Sequence, residues 1–166
     1  MKQLSKYTIT NLNQLSSILK SYKRSETTFL CIGNPIMSDD GIGCYIFNNL
    51  SNLNGIKLIN TENVPENYVS KIIKLKPKLL IGIDAVEFSS HPGEIKLFNE
   101  EEILNFSSST HSISSKMIID RIREELDFSF YLVGIQPKNI MLGNDFSEEV
   151  LNSVSMLIGL IKSFYA

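Results

Sequence analysis

Cysteine and histidine are nearly absent, with two of each among 166 residues. Cys31 and Cys44 do not form a Cys-x-x-Cys pair, and Cys31 lies inside an apolar run, where it reads as a small buried hydrophobe. This usage fits a reduced, cytoplasmic protein. No apolar run approaches the ~18 residues needed to span a membrane. The start, Met1-Lys-Gln-Leu-Ser-Lys-Tyr7, lacks the apolar centre of a secretion signal. There is no block of basic residues, and the net charge of -2 argues against nucleic acid as a partner. Neither Gly-x-Gly-x-x-Gly nor Gly-Lys-Ser/Thr occurs, so nucleotide binding lacks its phosphate loop. Gly-x-Ser-x-Gly is missing too, which removes the serine-hydrolase elbow. Repeats and linkers are absent, and 1–166 is expected to be a single domain.

What is present is an ordinary globular composition, 43% hydrophobic and 20% charged. A chain of this length can bury roughly 70% of its unfolded surface. Residues 1–25 are polar, but Leu12, Leu15, Ile18, Leu19 and Tyr22 recur at helical spacing. They predict an N-terminal helical extension packed on the sheet or its edge. Apolar strands are expected at Thr28–Ile32, Ile56–Asn60, Leu79–Asp84 and Phe128–Ile135, and a half-buried edge strand at Glu94–Phe98. Helices are expected at Ile42–Leu53, ended by Gly55, from about Tyr68 to Leu75, from about Ser114 to Glu125, and after Asp145. Asp145-x-x-Glu148 resembles a capping box for the last helix. Glu100–Thr110, acidic and then serine-rich, reads as a mobile loop. Strands buried on both faces and alternating with helices predict an α/β fold: a three-layer, mostly parallel twisted sheet with helices on both faces.

The most informative stretch is Phe29-Leu-Cys-Ile-Gly-Asn-Pro-Ile-Met-Ser-Asp-Asp-Gly-Ile-Gly43. It carries two acids on a loop between a buried strand and an amphipathic helix. In open α/β sheets, ligands bind beside the carboxyl ends of strands. Asp39 reads as a helix cap or a solvated residue, and Asp40 as the functional acid. Asp84 ends the third strand. His111 follows the serine-rich loop, and Gln136 follows the last strand. Asp40, Asp84 and His111 could form an open site for Ni²⁺, Zn²⁺ or Fe²⁺. Two other chemistries remain open: a Cys44–His111 thiol–imidazole pair, and Asp40 and Asp84 sharing one proton as an acid pair.

Gly33-Asn34, Asp39-Asp40-Gly41-Ile42-Gly43, Val64-Pro-Glu-Asn67, Ile83-Asp84-Ala85, Pro92-Gly-Glu-Ile95, Ser109-Thr-His111 and Gly134-Ile-Gln-Pro137 occur in that order. As an ordered set, this resembles the hydrogenase maturation endopeptidases, and most closely the hydrogenase-3 type. The resemblance runs from about Thr28 to the C-terminus. It implies the fold of those proteases, and a single aspartyl endopeptidase-like cut that removes the C-terminal extension of a [NiFe] hydrogenase large-subunit precursor after nickel insertion. It also implies Asp40, Asp84 and His111 as the nickel-binding catalytic trio, with nickel supplied by the precursor. Asn34 and Gln136 are candidates for positioning the peptide. The partners implied are the precursor alone, with no nucleic acid and no membrane insertion, and the protein is expected to be monomeric. Ser38 departs from the pattern, standing where the family usually has glycine. The competing readings are a non-catalytic nickel- or precursor-binding chaperone, and a metal-independent acid protease using Asp40 and Asp84.

Overall fold

A computed structural model describes residues 3–105 and 110–166; the side chains of 110–114 are not described. Its elements in chain order are α1 (Lys6–Lys20), β1 (Thr27–Ile32), α2 (Ile42–Leu50), β2 (Lys57–Glu62), α3 (Val69–Leu75), β3 (Leu79–Ala85), β4 (Ile95–Asn99), α4 (Glu100–Asn105), α5 (Thr110–Arg123), β5 (Ser129–Ile135) and α6 (Glu148–Tyr165). Short 3₁₀ turns precede β1, α2 and α3.

The strand order is β2-β1-β3-β5-β4. All neighbours are parallel except β4, which pairs antiparallel with β5 at the edge. β1 and β3 are buried along nearly their whole length because both faces of the sheet are covered. One apolar cluster joins Leu15, Phe29, Ile46, Ile81, Val154 and Leu157, between the sheet and α1, α2 and α6. A second joins Leu30, Ile72, Leu80, Ile118, Ile122 and Phe130, between the other face and α3, α4 and α5. The architecture is therefore the expected three-layer α/β arrangement.

The N-terminal helix packs on the sheet edge as expected, and its role there is specific. An edge strand leaves backbone donors unpaired. Thr8 Oγ1 accepts from Ile95 N at 3.0 Å, and Asn11 Oδ1 accepts from Leu97 N at 2.8 Å. Both residues are buried, although one is a threonine and the other an asparagine on a helix.

Several local expectations are corrected. The stretch from Glu100 is not simply a loop, because Glu100–Asn105 forms α4. Its start is a reciprocal box in which Asn99 N donates to Glu102 Oε1 and Glu102 N to Asn99 Oδ1. The predicted mobility falls largely on 106–109, outside the described residues. α5 begins at Thr110 rather than Ser114, so His111 lies in its first turn and not in a preceding loop. α2 stops at Leu50, short of Leu53. α6 is not opened by a box from Asp145: its N-cap is Ser147, and that hydroxyl is turned elsewhere.

Candidate active site

Register brings the two acids to one edge. Cys31 on β1 pairs with Ile83 on β3, so the strands end side by side, with Asp84 one residue beyond that pair. Asp40 reaches the same edge through the 3₁₀ turn Ser38–Gly41. That turn folds tightly over the end of β1. Asn34 N donates to the Asp40 carbonyl at 3.0 Å and faces its Oδ2 at 3.3 Å. Gly33, at φ +152°, has no room for a side chain, since a Cβ there would lie 2.0 Å from the Asp40 carbonyl oxygen. A Cβ on Gly43 would lie 2.2 Å from the Ile32 carbonyl oxygen, so glycine lets α2 begin in contact with the strand end.

Electrostatics ties the acids together. Burial pushes the Asp84 carboxyl well above the usual carboxylate range, and the negative charge of Asp40 pushes it further. The Ala85 N–H pulls in the other direction and does not prevail. Like charges in a desolvated place disfavour double ionisation, so the pair lacks one positive charge, which a proton or a cation could supply. This is the donor chemistry a divalent cation fits: two hard carboxylate oxygens, with an imidazole candidate at the start of α5. α5 leads into the amino end of β5, so its first turn lies toward the carboxyl edge of the sheet. The His111 side chain is outside the described residues. Among the described residues, no group of three His, Cys, Asp or Glu side chains is gathered closely enough to hold a metal.

Asp39 corrects its expectation. It is neither a cap of α2 nor solvated, but fully buried. Its carboxylate accepts from Lys138 N (2.9 Å), Asn139 N (2.9 Å), Ser147 N (2.7 Å) and Ser147 Oγ (2.7 Å). Burial alone would raise its pKa, but these hydrogen bonds, led by Ser147 N, outweigh it and hold the carboxyl below its ordinary value.

Gln136 is buried, with both ends of its amide engaged. Its Oε1 accepts from Phe88 N and Ser90 N, while its Nε2 donates to Glu87 Oε2 and the Pro137 carbonyl. With these bonds it clamps the loop after β3. Asn34 stays at the edge, its Oδ1 bonded to Ile36 N at 3.3 Å. Cys44 is a poor partner for His111 in catalysis. Burial raises its thiol pKa, the charges of Glu62 and Asp40 add to this, and Sγ lies 3.4 Å from Asn60 Oδ1.

Sequence reasoning missed Glu62. It lies exposed at the end of β2, across from Ile32, in the left-handed region at φ +48°. Its backbone carbonyl accepts from Gly33 N at 2.8 Å. Ser38 is likewise left-handed, at φ +50°, which costs roughly 1–2 kcal/mol for a non-glycine residue. Here the serine is buried and its Oγ donates to the Met141 carbonyl at 2.8 Å, which offsets part of that cost.

A mostly parallel sheet covered on both faces, with two acids at its carboxyl edge, places the chain in the α/β class with a candidate site at the strand ends, and its relatives specify the family. The family model described as "HycI: Hydrogenase maturation protease" matches residues 45–163, more than half of the chain. A Methanocaldococcus jannaschii protein whose name is "Putative hydrogenase maturation protease MJ0631" is 31% identical over 143 residues, covering 78% of this chain and 82% of its own. The hydrogenase 3 maturation protease of Escherichia coli K12 is 32% identical over 111 residues, 65% of this chain and 70% of its own. The crystal structure of the [NiFe] hydrogenase maturation protease HycI from Thermococcus kodakarensis superposes with a TM-score of 0.81 at 26% identity, over 92% of this chain and 98% of that one. This chain belongs to the HycI family of hydrogenase maturation proteases. A proteolytic family speaks against the non-catalytic chaperone reading. Among the described residues, no helix is long and apolar enough to cross a membrane.

Proposed function

We propose that the protein is an endopeptidase that removes the C-terminal extension of a [NiFe] hydrogenase large-subunit precursor once nickel has been inserted. The observation that carries this reading is the Asp40–Asp84 pair, one on the turn after β1 and the other at the end of β3, with Asp84 pushed up by burial and by its neighbour's charge. Such a pair favours a cation, which would relieve the repulsion between the acids. In this reading nickel arrives with the precursor as part of the substrate. Asp40 and Asp84 hold it from the protease side, together with His111. Nickel so placed marks the precursor as mature, and as a Lewis acid it can polarise a carbonyl or a water. Family membership supports the protease activity and a hydrogenase precursor as substrate.

The test is processing of purified precursor, with and without nickel, followed by mass spectrometry of the released peptide. Nickel-loaded precursor is expected to be cut once near its C-terminus and nickel-free precursor to stay intact. Asp40→Asn and Asp84→Asn are expected to lose at least about 100-fold in rate, the scale of losing a group that stabilises developing charge. Equal cleavage of both precursor forms removes the role of nickel and favours a proton shared by the two acids.

A further inference from the structure

The loop joining β5 to α6 holds an unusual surface. Ile140, Met141 and Leu142 are consecutive and 55%, 74% and 78% exposed, and Ile36, on the loop that carries the acids, is 55% exposed. Single exposed apolar residues need no explanation, but four gathered on two bonded loops do. The loops are joined along their backbones. Ser38 N donates to the Gly143 carbonyl, Gly143 N to the Ile36 carbonyl and Asp39 N to the Asn139 carbonyl, each at 2.9 Å. Met141 N is held by Asn139 Oδ1 at 2.9 Å, and the Met141 carbonyl by Ser38 Oγ. The buried Asp39 carboxylate gathers both ends of the loop, through Lys138, Asn139 and Ser147. A free loop would turn these side chains inward. Here a buried charge and a left-handed serine hold the backbone that displays them.

We propose that Ile36, Ile140, Met141 and Leu142 form a rigid apolar platform on which an aliphatic segment of the precursor polypeptide docks beside the bond to be cut. The inference rests on the functional reading above and names the partner surface of the same site. Its ground is continuity: the turn that braces the platform, Ser38–Gly41, also carries Asp40. A protein substrate that brings a bond to Asp40 therefore has this loop beside its path. The chemistry selects an aliphatic surface, because the displayed side chains are three branched aliphatics and a methionine, whose flexible thioether adapts to irregular partners. The nearest cation on the loop, Lys138, is committed to Glu149 at 2.8 Å.

The experiment uses the full chain and nickel-loaded precursor. The double variant Met141→Ser/Leu142→Ser changes two exposed side chains, and its thermal unfolding is compared with wild type to verify the fold. Initial rates are measured over a range of precursor concentrations. KM is expected to rise about 10- to 100-fold, the scale of losing two apolar contacts, with a much smaller fall in kcat. The conservative pair Met141→Leu/Leu142→Met should restore KM. Met156→Ser, at an exposed methionine on α6 away from the platform, should behave as wild type. Calorimetric titration of the precursor gives a second reading: Kd should weaken in the double variant by a factor similar to KM. An unchanged KM and Kd overturns the platform. So does a wild-type dimer, seen by light scattering, that the double variant dissolves, because the surface then binds a second copy. If wild type binds the precursor without cutting it, the protease reading falls, and the titration still decides the platform.

Discussion

Asp39 and Asp84 show how surroundings decide what a carboxylate does. Asp39 is fully buried and Asp84 is partly buried at the end of β3. Asp39 receives four donors and stays ionised, whereas Asp84 receives a single opposing N–H and a like charge, so its proton is held more tightly than in the unfolded chain. The sign of the stability effect follows. Where the folded form binds its proton more tightly, stability is fully present below the unfolded carboxyl range and is lost as pH rises toward the folded pKa. Asp84→Asn removes that loss. The variant is expected to be more stable than wild type near neutral pH in the absence of nickel, with the advantage vanishing as pH falls to about 4, and each unit of displaced pKa is worth about 1.4 kcal/mol. Urea unfolding of both proteins across this range checks it. A wild type more stable than the variant at pH 7 would contradict the assignment of Asp84 as a strained acid.

At the scale of elements, α1 is more than an appended arm. Its apolar face, Leu12, Leu15 and Leu19, enters the core beside α6, and its polar Thr8 and Asn11 close the open edge of β4. A helix that supplies side-chain acceptors to an edge strand blocks the pairing of that edge with another chain. Asn11→Ala leaves Leu97 N buried without its acceptor. The expected cost is about 1–3 kcal/mol, read as a lowered urea midpoint, with precursor cleavage preserved below the unfolding temperature because the acids lie on β3 and on the turn after β1, not on β4. A change in KM without a change in stability would instead give α1 a part in substrate binding.

At the scale of the whole molecule, two apolar clusters share one sheet. β1 contributes Phe29 to one and Leu30 to the other, and β3 contributes Ile81 and Leu80 in the same way. Loss of either layer exposes strands that the other layer also needs, which predicts a single cooperative transition. Ile46→Ala and Ile72→Ala, one in each cluster and both fully buried, are each expected to lower stability by about 2–5 kcal/mol. Each should shift the whole unfolding curve, followed by far-ultraviolet circular dichroism and by tyrosine fluorescence, since the chain has no tryptophan. Curves from the two probes that separate in one variant would show that the layers unfold independently.

Apolar periodicity alone determined the layers, the alternation of strand and helix, and the positions of Asp40 beyond its strand and Asp84 at the end of its own. Each of these is a local property: a run of Leu79-Leu-Ile-Gly-Ile83 has to be buried on both faces wherever it lies. The fates of Asp39, Ser38, Gln136 and Ser147 were decided only by tertiary structure. Asp39 meets Ser147 across 108 positions of chain, and Gln136 meets Phe88 across 48. No local spacing distinguishes a carboxylate that caps its own helix from one that braces a distant loop, because both begin as an acid after a turn. The same holds for Ile140-Met-Leu142, where a short apolar run would ordinarily signal burial. The bonds from Ser38 and Asp39 turn it outward instead, since only the folded chain brings those donors and acceptors within reach.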